Sequence, residues 1–222
     1  MPIPGKYRVV DLSEKIVPGR VFGPLNDKRR CEIRPFTFPP GERMHEIDME
    51  NHIGTHVEAP SHYVEPRYGR QGKDISQIPL ESYVGEAIFI DLSSTKPRQV
   101  ITRKDLRKED VLQGDIVLIG NSPHSGDERP WLAPEAVWWM ARKGIKMIGL
   151  DRSIQVEEPK LPRALENYAL HDSMLSNDIP IIECLANLDK LKKRRFFFFG
   201  APINMVGLDS FPIRAVALEP VD

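Results

Sequence analysis

Three of the chain's six histidines fall within Asn51-His52-Ile53-Gly54-Thr55-His56-Val57-Glu58-Ala59-Pro60-Ser61-His62, with a carboxylate two residues after the second. Imidazole and carboxylate together form a ligand set suited to Zn, or to Mn and Fe. His-x3-His on a helix would put both rings on one face, but this stretch is a poor helix. Ile53, Thr55 and Val57 are β-branched, Gly54 is central and Pro60 follows. As a strand over 44–58, its even positions Glu46, Asp48, Glu50, His52, Gly54, His56 and Glu58 share one face, and Ile47, Met49, Ile53 and Val57 make the other apolar. Four extended residues span roughly 13 Å, too far for two histidines to hold one ion. The backbone is therefore expected to bend near Gly54, where the missing side chain permits a bulge and leaves room for a metal or substrate. A lone histidine is usually structural or solvated; His-x3-His-x-Glu, with His62 four residues on and a Pro turn between, favours a metal site.

The elements that must position these groups read as follows. Residues 7–13 make a first strand ending in an Asp-Leu-Ser turn, 20–30 a Gly- and Pro-containing loop, and 31–38 a strand closed by Pro39-Pro40-Gly41. After the histidine strand, 63–73 reads as a basic, Gly-containing loop. From residue 84 strands and helices alternate. Residues 84–92, 115–119 and 146–150 are short apolar runs suited to buried strands. Thr102 is an N-cap for a brief helix through Asp110. Residues 133–143 form a helix with Pro134 in its first turn and Gly144 as its stop. A second long helix is expected over 162–177, carrying His171; 179–182 lead into Glu183, the four phenylalanines at 196–199 form a buried strand, and 212–218 a closing one. This order predicts an α/β or α+β layer fold in one domain over residues 1–222.

At 222 residues the chain can build a full core. Its 31 Lys and Arg against 32 Asp and Glu argue against nucleic acid or a membrane surface as partner. No apolar run approaches the ~18 residues of a membrane span, and residues 1–20 lack a signal-peptide core. Two distant cysteines, Cys31 and Cys184, give no disulfide framework, so a cytoplasmic protein is expected.

The motif H-I-G-T-H-V-E-A-P-S-H (52–62) resembles the H-x-G-T-H-x-D-x-P-x-H signature of the cyclase family of metal-dependent hydrolases, which includes bacterial kynurenine formamidase and isatin hydrolase. Further landmarks are Asp91-Leu92, 114–119, Gly149-Leu150-Asp151, His171 with 179–183, 187–189 and 212–217. The resemblance implies a swivelling β/β/α fold with a mixed sheet, a homodimer or homotetramer, and a divalent metal, Zn in formamidases and Mn in isatin hydrolases. It places metal ligands at His52, His56 and Glu58, the catalytic histidine at His62, and the residues that complete or bridge the site at His171 and Glu183. The chain departs from the pattern at Glu58, one methylene longer than the family aspartate, and at Glu50, which reads either as an extra acidic ligand or as an influence on substrate choice.

A metal held by neutral imidazoles and few carboxylates stays electrophilic and can acidify water. An imidazole, with its ordinary pKa near ~6.5, suits proton relay at His62. The expected reaction is hydrolysis of an amide, lactam or lactone of a small molecule. The alternatives are a metal-stabilised binding protein without turnover and a metal-dependent lyase or isomerase. Structural readings are preferred for the remaining candidates: His124 in an exposed loop, His45 packed on the apolar face, Asp11 and Asp151 as turn caps, Cys184 as a buried small hydrophobe, and Trp138 and Trp139 as core or interface aromatics.

Overall fold

The computed structural model describes residues 6–20 and 30–221; the loop expected over 20–30 thus lies mostly outside the described residues. Its chain order is β1 (Tyr7–Asp11), β2 (Cys31–Phe38), β3 (Glu42–Met49), β4 (His56–Glu58), α1 (Ser61–Tyr68), β5 (Val84–Asp91), β6 (Val100–Ile101), α2 (Arg103–Leu106), β7 (Ile116–Gly120), β8 (Trp131–Leu132) and α3 (Pro134–Lys143). The second half adds β9 (Met147–Asp151), α4 (Ala169–Leu175), β10 (Ile181–Leu185), β11 (Arg195–Phe199), β12 (Ser210–Pro212) and β13 (Val216–Pro220). Nine strands form one sheet in the order β1-β13-β11-β5-β7-β9-β10-β4-β12, while β2–β3 and β6–β8 pair separately.

The sheet is mixed because β5, β7, β9 and β10 run parallel, whereas β1, β13 and β11 on one side and β4 and β12 on the other are antiparallel to their neighbours. Parallel strands need crossovers, and both faces of such strands become covered, which explains their near-continuous apolar runs. Alternate residues accordingly feed two cores. Ile88, Ile90, Val117, Ile119, Ile148 and Leu150 pack toward the helices with Ala136, Val137 and Met140 of α3. Ala87, Phe89, Ile116, Leu118 and Met147 join Val57, Phe196 and Phe198 on the opposite face. The helix expected at 133–143 forms, with Pro134 in its first turn and Gly144 in the left-handed conformation (φ +77°) as its stop. Thr102 and Asp105 build a reciprocal capping box on α2, which ends earlier than expected.

Five expectations need correction. The strand predicted over 44–58 is two strands. β3 pairs only with β2 in a hairpin whose residues 32–47 are all exposed, so no apolar face packs there and His45 is exposed. The loop at 63–73 begins instead as α1, because Pro60 leads into a helical turn and Tyr63 and Val64 find cover in the core. The long helix at 162–177 shrinks to α4, with a single 3-10 turn at Leu165–Asn167 before it. Tyr168 breaks from helical geometry there, and the Glu157 carboxylate accepts the Leu170 and His171 amides at 3.1 and 3.0 Å, capping the helix from outside. Finally, β11 buries only Phe196 and Phe198; Phe199 on the other parity is exposed, and the closing strand is split into β12 and β13. Among the described residues, no helix is long and apolar enough to cross a membrane.

Candidate metal centre

The bend expected at Gly54 is present. Gly54 adopts φ +59°, and a Cβ there would meet Ile16 at 2.8 Å, so backbone freedom and close approach both require glycine. The bend takes His52 off any strand, while His56 and Glu58 keep their shared parity on β4, clamped between β10 and β12. The rings of His52 and His56 thus come within 5.1 Å, centroid to centroid, instead of lying a strand's length apart. His62 arrives from the first turn of α1 and His171 from α4, their rings 5.9 Å apart.

Glu58 stands at the centre of these rings and is 3 % exposed. Its Oε1 lies 3.0 Å from His52 Nδ1, 3.5 Å from His56 Nε2 and 3.7 Å from His62 Nε2, and its Oε2 lies 3.3 Å from His171 Nε2. Burial alone would raise the Glu58 pKa, but the surrounding imidazoles, His62 first, hold it well below the usual carboxylate range. Burial likewise opposes charge on His52, yet hydrogen bonds to Asp209 and Glu58 outweigh it and push the ring up to about 9. Both His52 nitrogens face carboxylates at 3.0 Å, so this ring donates on both sides. His171 is also raised: burial is overcome by its bonds to Glu157 and Glu58. Cationic imidazoles around one anion mark a place where a bound cation would replace protons.

Two tautomers follow from acceptor chemistry. His56 Nδ1 sits 2.9 Å from the Gly54 carbonyl, which can only accept, so Nδ1 carries the proton and Nε2 turns a lone pair inward. That Nε2 and Glu58 Oε2 are buried without a well-directed hydrogen bond, Oε2 having only the 3.3 Å ion-pair contact with His171 Nε2. Orphaned acceptors of this kind, on an imidazole and a carboxylate, fit a divalent cation. His171 Nδ1 donates to Glu157 Oε1 at 2.7 Å and directs its Nε2 to the same centre.

Of the six residues singled out in the sequence, His52, His56, Glu58, His62 and His171 converge in three overlapping groups with the geometry to hold an ion. Glu183 lies at their margin, with Oε1 4.0 Å from His171 Nε2. Glu50 is exposed and outside these groups. Two residues were missed. Asp209 joins His52 and His62 in one group, and Glu157 orients His171. Asp209 lies 147 positions from His62 on a turn with no motif, and it reaches the site only because β12 pairs with β4. His124 is half-buried and donates from Nε2 to the Thr95 carbonyl at 2.7 Å, not exposed as expected. Asp11 caps Ser13 and pairs with Arg214, and Asp151 accepts the Asn121 and Ser153 amides, so both are turn caps. Cys184 is half-buried at φ +61° and is no core hydrophobe.

The chain is similar to known enzymes along nearly its whole length. It is 30% identical to a kynurenine formamidase of Erythrobacter litoralis, over 97% of this chain and 95% of that protein. A solved structure described as a potential metal-dependent hydrolase with cyclase activity matches with 27% identity and a TM-score of 0.75, covering 98% of this chain and all of that one. Isatin hydrolase A of Labrenzia aggregata shares the fold, with a TM-score of 0.80 at 21% identity over 97% of this chain and 94% of that one. The Cyclase family model matches residues 10–154. With its histidine motif inside that match and its fold shared throughout, the chain belongs to the cyclase family of metal-dependent hydrolases.

Proposed function

We propose that the protein hydrolyses an amide or lactam bond in a small aromatic molecule of the arylformamide or isatin type, using one or two Zn or Mn ions. The observation that carries the reading is the buried Glu58 carboxylate ringed by four imidazoles, with neither His56 Nε2 nor Glu58 Oε2 in a well-directed hydrogen bond. His52, His56 and Glu58 would hold the metal, and His171 and Glu183 would complete or bridge the site. A divalent cation there supplies an electrophile that polarises the carbonyl and acidifies water.

The protein's own residues supply the proton traffic. His62 Nδ1 donates to Asp209 Oδ2 at 2.8 Å, which leaves Nε2 as the basic nitrogen on the side of the cluster. His62 is the most open ring of the four, with its side chain 32% exposed against 13, 1 and 9% for His52, His56 and His171. It can therefore meet a substrate while the others stay enclosed. His62 takes a proton from water during attack and returns one to the leaving nitrogen; Asp209 fixes its tautomer, as in a His–Asp pair. The exposed β2–β3 arm, bearing Ile33, Phe36, Phe38, Met44 and Ile47 at 42–60% exposure, supports assembly as a homodimer or homotetramer.

Elemental analysis of untagged protein purified without chelator tests the centre, and a screen of amides, lactams and lactones with the recovered metal tests the reaction. One or two equivalents of Zn or Mn with water-consuming ring or amide opening supports the reading. Below ~0.1 equivalent, with no thermal stabilisation by either added ion, it falls. Turnover without water uptake would instead indicate a lyase or isomerase.

A further inference from the structure

Helices α1, α3 and α4 leave a groove of about 540 Å³ that none of the chemistry above uses. Its size is that of a small-molecule site. Tyr68, the last residue of α1, and Trp138 of α3 give it two aromatic walls, 46 and 48% exposed. Arg70 and Arg142 add two guanidiniums; among the described residues neither has an acidic partner, and Arg70 lies 5.9 Å from the Tyr68 ring centre. Asp172 contributes the one carboxylate, already engaged by the Tyr68 hydroxyl. Ser173, the one fully buried member of the lining, is 5% exposed and keeps its hydroxyl closed to solvent beneath the groove.

These features select a ligand. Guanidinium forks without acids call for a carboxylate or phosphate. Two cations against one anion leave a single positive charge, which matches a monocarboxylate better than a doubly charged phosphate monoester. The indole and phenol faces favour a planar ring beside that charge. We propose that this groove binds a small aromatic monocarboxylate. The Tyr68–Asp172 bond joins the last residue of α1, the helix that carries His62, to the residue after His171 on α4, so the ligand would sit on the tie between them.

Benzoate is the probe, titrated into the full metal-loaded chain by calorimetry and saturation-transfer NMR, which read binding without turnover. The expected result is one benzoate per chain. Arg142→Ala or Trp138→Ala, both at exposed positions, should weaken it about tenfold or more, the scale of a lost charged hydrogen bond. His52→Ala should leave it unchanged, which separates this groove from the histidine centre whatever the enzyme's reaction. Benzyl alcohol, lacking the charge, and inorganic phosphate, lacking the ring, should each bind at least about tenfold more weakly. Benzoate lost in His52→Ala but retained in Arg142→Ala would overturn the proposal, as would phosphate binding as tightly as benzoate. No binding up to ~10 mM, poor even for so small a ligand, would also overturn it.

Discussion

Strands β5, β7 and β9 cross the middle of the sheet with almost every side chain apolar and buried, whereas β4, three residues long near the sheet's end, buries His56 and Glu58. Both regions are equally dry. Val117 and Leu118 are 0% exposed, and His56 is 1% exposed. The middle gains free energy from burial, and its backbone polar groups are satisfied by ladders on both sides. β4 also has ladders on both sides, but its side chains carry charge into a low-dielectric setting and leave orphaned acceptors. The comparison teaches that this fold concentrates stability in the parallel middle of the sheet and spends it at the β10-β4-β12 end.

Substitutions on the two sides should therefore fail differently. The largest effect is expected at His62: His62→Ala should lower kcat by roughly 10²- to 10⁴-fold through lost acid–base catalysis, with metal content kept. His56→Ala should lose the metal itself. If His62→Ala emptied the site instead, His62 would be a ligand, and the separation of holding from proton transfer would break.

Leu118→Ala, in the parallel middle, should cost about 2–5 kcal/mol by urea unfolding, from lost burial plus the cavity left. The activity of the molecules that remain folded should be unchanged. A large loss of kcat in stably folded Leu118→Ala protein would show that the middle of the sheet tunes the chemistry, and the contrast would fail.

The charged end should also reveal itself by pH when metal is stripped with a chelator. His52 is raised from 6.5 to about 9 on folding, so its contribution is fully present below pH 6.5 and is lost as pH rises toward 9. Stability of the stripped protein should fall across that window by up to about 3 kcal/mol, the full value of such a shift. Protein reloaded with metal should show a flatter profile, because the cation replaces the proton. A stripped protein whose melting temperature is flat from pH 6.5 to 9 would count against a protonated His52.

Asp209→Asn tests the smallest of these effects. Asparagine keeps the shape but removes the charge and can present an NH₂ to His62 Nδ1. An outer partner of this kind typically contributes 10- to 100-fold, so kcat should fall within about that range while metal stays bound. Unchanged kcat would demote Asp209 to a strut between β12 and the histidine segment.

Much of this protein was legible along the chain because the relevant forces are local. The capping chemistry of Thr102, the Pro134 start and Gly144 stop of α3, and the apolar runs of β5, β7 and β9 act within a few residues. The dense histidine motif marked four of the residues that converge, the family resemblance added His171, and Gly54 marked the bend that lets two of them meet. Legibility failed where a distant partner decided the outcome. The start of α4 depends on the Glu157 carboxylate, 13 residues before Leu170. The parity argument for 44–58 assumed one continuous pleat, but β3 is held by β2 alone while β4 is held by β10 and β12.

The sequence by itself determined the kind of chemistry, since residue types and spacing choose imidazole and carboxylate for a divalent cation and a fourth histidine for proton transfer. Only the tertiary structure decided how those groups face one another. Strand pairing across more than a hundred residues brought Asp209 to His62, and it placed Glu58 where four rings could close on it. Ligand type is written in covalent structure, but direction and distance come from ladders and packing between segments that carry no local sign of each other.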